Sequence, residues 1–160
     1  MTGLNRKTLE FVENMGVTWE RLGSARTSGR IFGLLLVAER ALSLDEIAEI
    51  LHVSKASVST NTRLAETKGL VRRIGHPGDR KAYYEITHGA WESALEVAIA
   101  NTREMIALAD EGLAAVEPSN TEGRERLQAM RSFYDLFRLE MEEMRPRLHA
   151  KIERLQKTAR

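Results

Sequence analysis

The sequence predicts a mainly α protein with a small β-hairpin: a winged helix-turn-helix domain plus long C-terminal dimerisation helices. Three observations predict it. Two capped helical segments follow one another with only His52-Val53 between them. A strand–turn–strand stretch with a basic tip comes directly after. Beyond it lie two long segments whose apolar residues recur at three- and four-residue steps, the period of an amphipathic helix.

From about Leu4 to Arg21, Leu9, Val12, Met15 and Trp19 form one apolar helical stripe opposite Asn5, Lys7, Glu10, Glu13 and Asn14. Gly23-Ser24 interrupts it. Arg26 to Ala38 reads as a second helix, apolar almost all round from Ile31 onwards and therefore buried. Gly29 and Gly33 stand four apart on one face, where they let a neighbouring helix approach closely.

Ser43-Leu44-Asp45-Glu46 is a capping box: Ser43 caps, Glu46 reaches back, and Asp45 sits in the positive first turn. That helix runs through Ile47, Ala48, Ile50 and Leu51. Ser54 caps the next helix and Gly69 stops it, with no glycine or proline between. Its composition is odd. Serine, threonine and asparagine, mediocre helix formers, crowd the first turns of Lys55-Ala56-Ser57-Val58-Ser59-Thr60-Asn61-Thr62-Arg63-Leu64. Val58 faces the preceding helix, and small polar chains flanked by Lys55 and Arg63 suit the edge of a DNA groove. Two short helices joined so tightly are a helix-turn-helix.

Leu70 to Ile74 and Ala82 to Ile86 read as strands, joined by the turn Gly75-His76-Pro77-Gly78-Asp79. A two-stranded hairpin is too weak to stand alone and must pack on the helices. With His76, Arg80 and Lys81 at its tip and Arg72 and Arg73 on its first strand, it is a wing. Thr87 is expected to cap a helix from about Gly89 to Val116, striped by Trp91, Leu95, Ala98, Thr102, Met105, Ala109, Leu113 and Val116. Glu117-Pro118-Ser119-Asn120 breaks it. In the last helix Leu127, Met130, Tyr134, Phe137, Met141, Met144, Leu148 and Ile152 keep heptad spacing, and Pro146 is expected to kink or divide it. Two such helices exceed what a winged domain needs for cover, so they are read as the means of homodimerisation. The expected organisation is an N-terminal helix (residues 1–24, packing with the dimerisation helices), a winged domain (25–87) and a helical dimerisation region (88–160).

Charge supports a polyanionic partner for one segment. The net charge is only +1, yet Ser54 to Lys81 holds seven Lys or Arg against two Asp or Glu, whereas Ala90 onwards holds eleven against thirteen. The absence of cysteine excludes disulfides, thiol redox sensing and Cys-ligated zinc. The longest apolar run, Leu34 to Ala38, is far short of the ~20 residues a membrane span needs. A cytosolic location with no membrane partner is expected. His52, His76, His88 and His149 have no ligand spacing, so no metal is implied. No phosphate loop or catalytic motif appears; no cofactor and no enzymatic role are expected. Trp19, Trp91, Phe11, Phe133, Tyr134 and Phe137 read first as core, but clustered aromatics can hold a quaternary ammonium, which leaves a small-molecule effector open.

Ser54-Lys55-Ala56-Ser57-Val58-Ser59, Arg63, Gly69-Leu70-Val71 and Asp79-Arg80-Lys81 with Ile86-Thr87 resemble the MarR superfamily of bacterial and archaeal transcription regulators. Phe11 to Gly16, Gly29 to Leu36, and Pro77-Gly78-Asp79-Arg80 with Tyr83-Tyr84 look more narrowly like its GbsR branch. The likeness covers about residues 8–87; the C-terminal helices match in layout only. Thr62 departs from it, standing where relatives tend to have a larger aliphatic residue. The resemblance implies a homodimeric winged-helix repressor or activator. The Ser54 helix would enter the major groove, Arg80 would reach the minor groove, and Asp79 would orient Arg80 or a neighbouring base.

The resulting expectation is a sequence-specific regulator of double-stranded DNA. Ser54, Lys55, Ala56, Ser57, Ser59, Thr60, Asn61 and Arg63 are the candidate contacts of the helix. Asn61 would pair with adenine, and Arg63 with a guanine or a phosphate. Arg72, Arg73, His76, Arg80 and Lys81 are the candidate contacts of the wing. A homodimer would place two reading helices roughly 34 Å apart on a near-palindromic site. The alternative is a protein–protein interaction module that does not bind DNA.

Overall fold

Asn5 opens the chain's first helix, its side chain accepting from the Thr8 backbone N–H at 2.9 Å. The computed structural model describes residues 4–158 except His76. The described chain divides into two compact units, residues 1–93 and 94–160.

In the first unit, α1 (Arg6–Arg21) packs along α2 (Arg26–Val37). The helices touch through glycine, as the spacing of Gly29 and Gly33 predicts. A Cβ on Gly29 would lie 2.7 Å from both the Met15 carbonyl oxygen and Trp19 Cβ, and one on Gly33 3.0 Å from Met15 Cβ. The stripe of α1 differs from expectation at one end. Val12 and Gly16 are buried, whereas Leu9 is 41% exposed. The crossing falls near Gly16, where a Cβ would meet Arg30 Cγ at 2.6 Å. Glu13 ties the pair together, 2.7 Å from Arg30 Nε and 3.2 Å from Arg26 Nη2. The core is centred on α2, with Ile31, Phe32, Leu34 and Leu35 buried.

The capping box forms as read. Glu46 N–H donates to Ser43 Oγ at 3.3 Å and Ser43 N–H to Glu46 Oε2 at 2.8 Å, starting α3 (Leu44–Leu51). His52 then turns the chain in the left-handed region, φ 52°. Ser54 caps α4 (Lys55–Thr67) by accepting from Ser57 N–H at 3.1 Å. Val58, Thr62 and Ala65 form the buried side of α4. Gly69, φ 68°, ends it against the first turn of α5, where a Cβ would lie 3.0 Å from the Ser93 carbonyl. No L side chain fits that combination of φ and space.

The hairpin is not alone. A two-residue strand β1 (Leu42–Ser43) pairs antiparallel with β3 (Tyr83–Ile86), which pairs with β2 (Val71–Ile74), giving the order β1-β3-β2. The third strand sits immediately before α3 and fastens the wing to the helix-turn-helix. α5 (Ala90–Ala115) starts after Gly89, φ 67°, rather than at a Thr87 cap. The Thr87 N–H donates to Leu70 O at 3.0 Å and closes the hairpin exit.

In the second unit, α5 and α6 (Thr121–Thr158) run antiparallel: Arg124 reaches Leu113 O, Arg131 pairs with Asp110, Arg103 with Glu142, and Arg145 with Glu96. Asn120 caps α6, accepting from Gly123 N–H at 2.9 Å. α6 runs unbroken through Pro146, so the expected division does not occur. The proline removes one N–H from the ladder, a local loss within a helix of 38 residues.

The heptad seam of α6 does not all face one way. Leu127 packs over Gly112, where a Cβ would lie 2.9 Å from Leu127 Cδ2, and Met141 is buried; Met130 and Tyr134 are half-buried. Phe137, Met144 and Leu148 stay exposed, and so do Phe133 and Leu136, which heptad counting passes over. Part of the seam is used within the chain, and a second apolar face, displaced around the helix, is left outside.

Candidate nucleic-acid interface

The rotation of α4 is set by Val58, Thr62 and Ala65, and this decides which side chains can face a groove. Ala56, Thr60, Arg63 and Leu64 are exposed, and Ser57 and Ser59 are half-buried. Ser54 is exposed but its hydroxyl is engaged as the cap. Thr62 turns its hydroxyl onto its own helix, donating to Val58 O at 2.9 Å. A threonine there needs no partner elsewhere in the core.

Asn61 corrects the sequence reading. It is only 8% exposed, and its Nδ2 donates to Ser57 O at 2.8 Å. The amide faces the protein, not the outer side of α4. Its Oδ1 is buried with no hydrogen-bond partner among the described residues.

The cations divide into paired and unpaired. Lys55 Nζ lies 2.7 Å from Asp45 Oδ1, and Arg72 Nε donates to Glu85 Oε1 across the strands at 2.7 Å. Arg63, Arg73, Arg80 and Lys81 are exposed, with no ion pair among the described residues. Asp79, expected to orient Arg80, holds the turn around it: its carboxylate accepts from Lys81 N–H at 2.9 Å and from Tyr83 OH at 2.7 Å. His76 lies outside the described residues.

The pairing of β1 with β3 brings the start of α3 against the wing. Ser43, Leu44 and Asp45 there share a shallow cleft with Arg73, Arg80, Lys81 and Ala82. The Lys55 ammonium holds the Asp45 carboxyl below its ordinary range, and the charge of Lys81 adds to this. A strand of two residues carries no periodicity, so no sequence signal placed Asp45 beside the wing.

The aromatic residues do not form an empty cage. Trp19 stacks on Phe32 at 5.1 Å between centroids, and Phe32 meets Trp91 edge-on at 5.8 Å. The cation over Trp19 is the protein's own Lys68, 5.3 Å from the ring centroid and bonded to Ser24 Oγ. Phe133, Tyr134 and Phe137 form a separate cluster on α6. Among the described residues no group of three or more His, Cys, Asp or Glu side chains could hold a metal. No described helix is long and apolar enough to cross a membrane.

Two helices in tight succession, the second with an exposed polar face, and a fastened hairpin bearing unpaired cations define a winged helix-turn-helix DNA-binding protein. Comparison with known proteins agrees. A MarR family model matches residues 25–82, and a model of MmpR5-like MarR family transcriptional regulators matches residues 89–151. The HTH-type transcriptional regulator MmpR5 of Mycobacterium tuberculosis (strain ATCC 25618 / H37Rv) is 33% identical over 130 residues, covering 81% of this chain and 79% of that protein. The crystal structure of a transcriptional regulator superposes with a TM-score of 0.84 at 30% identity, covering 90% of this chain and 99% of the other. The chain belongs to the MarR family of transcriptional regulators. It is a regulator, not an enzyme. The GbsR-like motifs remain a likeness of short stretches within residues 8–87, and the branch matched by residues 89–151 is MmpR5-like.

Proposed function

We propose that the chain acts as a homodimeric repressor that binds a near-palindromic site in double-stranded DNA. The observation that carries this reading is the exposed side of α4 together with Arg63, Arg73, Arg80 and Lys81, cations that form no ion pair among the described residues. Free cations at this density suit a phosphate backbone, because each phosphate neutralised releases a counterion. Repression is the simplest outcome of such binding, since a protein seated over a promoter keeps the polymerase from it.

Dimerisation is supported by the second apolar face of α6, on which Phe133, Leu136 and Phe137 stand at 62%, 60% and 47% exposure. α1 also shows Leu9 and Phe11 to solvent, at 41% and 39%. An effector response is supported by a cavity of about 430 Å³ with Leu34, Val37, Leu42 and Ile50 as walls and Arg40 at its lining. Lys68 already occupies the face of Trp19, so this cavity is a better effector site than the aromatic cluster.

The test is a fluorescence-anisotropy titration against the DNA upstream of the chain's own gene and a scrambled duplex, with sedimentation to fix stoichiometry. Tight, sequence-dependent binding of two chains per site is expected. No binding to either duplex at low-micromolar protein would favour the interaction-module alternative.

A further inference from the structure

With Asn61 turned inwards, one row of the outer side of the reading helix carries methyl groups. Ala56, Thr60 and Leu64 stand at four-residue spacing, so they lie one above the other on α4, and all three are exposed. Leu64 is 47% exposed, a large apolar side chain on that side of the helix. Lys55 is held by Asp45 and the Ser54 hydroxyl by its cap, which removes two polar candidates from the same surface. Of the groups a base pair shows in the major groove, the C5 methyl of thymine is the apolar one.

We infer that α4 reads its half-site chiefly through thymine methyl groups packed against the ladder Ala56–Thr60–Leu64, with Arg63 supplying the polar contact beside it. The inference rests on the DNA-binding function proposed above and names what that surface recognises. It assigns Thr60 a role through its γ-methyl group rather than its hydroxyl, and it makes Leu64 a contact residue.

The experiment selects the preferred duplex from a random pool with the full chain, then replaces each thymine of a half-site in turn by deoxyuridine. That replacement deletes the methyl and keeps every hydrogen-bonding group. We expect thymines in the enriched half-site, and at two or more of them a dissociation constant about fourfold weaker per methyl lost. Thr60→Ser should bind the thymine duplex about fourfold more weakly than wild type and no longer distinguish thymine from deoxyuridine at one position. Leu64→Ala should do the same at a neighbouring position. Both residues are exposed, and unchanged circular-dichroism melting of the variants confirms that folding is intact. An enriched half-site without thymine, or wild-type affinity that changes less than about twofold at every deoxyuridine, overturns the inference. A pool that yields no enriched sequence overturns the DNA-binding reading itself and takes the inference with it.

Discussion

Arg80 and Arg72 belong to the same wing, yet the structure gives them different work. Arg72 is held by Glu85 on the neighbouring strand, whereas Arg80 extends from the turn that Asp79 closes. Arg80→Ala is therefore expected to weaken DNA binding and reduce the slope of log affinity against log salt by about one. Arg72→Ala should change that slope less. Anisotropy titrations across a salt series check both, and an unaltered slope for Arg80→Ala would remove Arg80 from the interface. Glu46 carries a second consequence at this scale. The Arg40 guanidinium, with help from Ser43, holds its carboxyl down at about 2 against an ordinary value of 4.5. A depressed pKa in the folded state means the stabilisation is complete above about 4.5 and is lost as the pH falls towards 2. Glu46→Gln keeps an amide able to accept from the Ser43 N–H but carries no charge. Its unfolding free energy should vary less than wild type between pH 4.5 and 2, measured by urea denaturation at several pH values. The capping box itself was legible because its chemistry is local. The orientation of Asn61 was not, because residue type says only that it is polar, while packing of Val58, Thr62 and Ala65 fixes which way the helix is turned.

Two helix starts and one helix end were legible from a capping side chain or a glycine: Ser43 and Ser54 cap, and Gly69 stops. A close crossing on α2 was legible, because glycines four apart let a neighbouring helix approach, but that the neighbour is α1 was not. Gly29→Ala tests this contact directly. The added methyl would sit 2.7 Å from the Met15 carbonyl oxygen, a backbone atom that cannot rotate away, so the helices must separate. The expected cost is about 2–3 kcal/mol, read as a lower midpoint in urea. The same variant should alter the fluorescence of Trp19, whose Cβ lies at the same distance. A midpoint equal to wild type would show that the crossing is looser than described. β1 was not legible, since two residues show no alternation and owe their conformation to Tyr83 and Tyr84 opposite. Pro146 leaves α6 undivided for a related reason. The rule that proline breaks a helix weighs one lost bond and a clash, whereas the turn leading into it is held against α5 by Arg103–Glu142 and Arg145–Glu96.

At the scale of the molecule the decisive quantity is apolar surface with nothing on it. Phe133 stacks on Phe137 at 6.0 Å between centroids, and both remain exposed, as do Leu136, Met144 and Leu148 on the same helix. A soluble chain rarely leaves so continuous an apolar face in water unless another surface covers it. In the homodimer proposed above, a second copy of α6 is the occupant, since two reading helices on one duplex bind with the effective concentration of a tethered pair. Replacing Phe133 and Phe137 together by glutamate should produce a monomer in sedimentation at micromolar concentration. Helix content should survive, because both side chains are exposed and the ion pairs and glycine contact that join α5 to α6 lie elsewhere. Affinity for the palindromic duplex should then fall about a hundredfold or more, whereas affinity for an isolated half-site should stay near that of one wild-type subunit. Loss of both would mean that the substitutions reach the reading surface by another route. A variant that remains a dimer would show that the exposed aromatic face of α6 is not where the subunits meet.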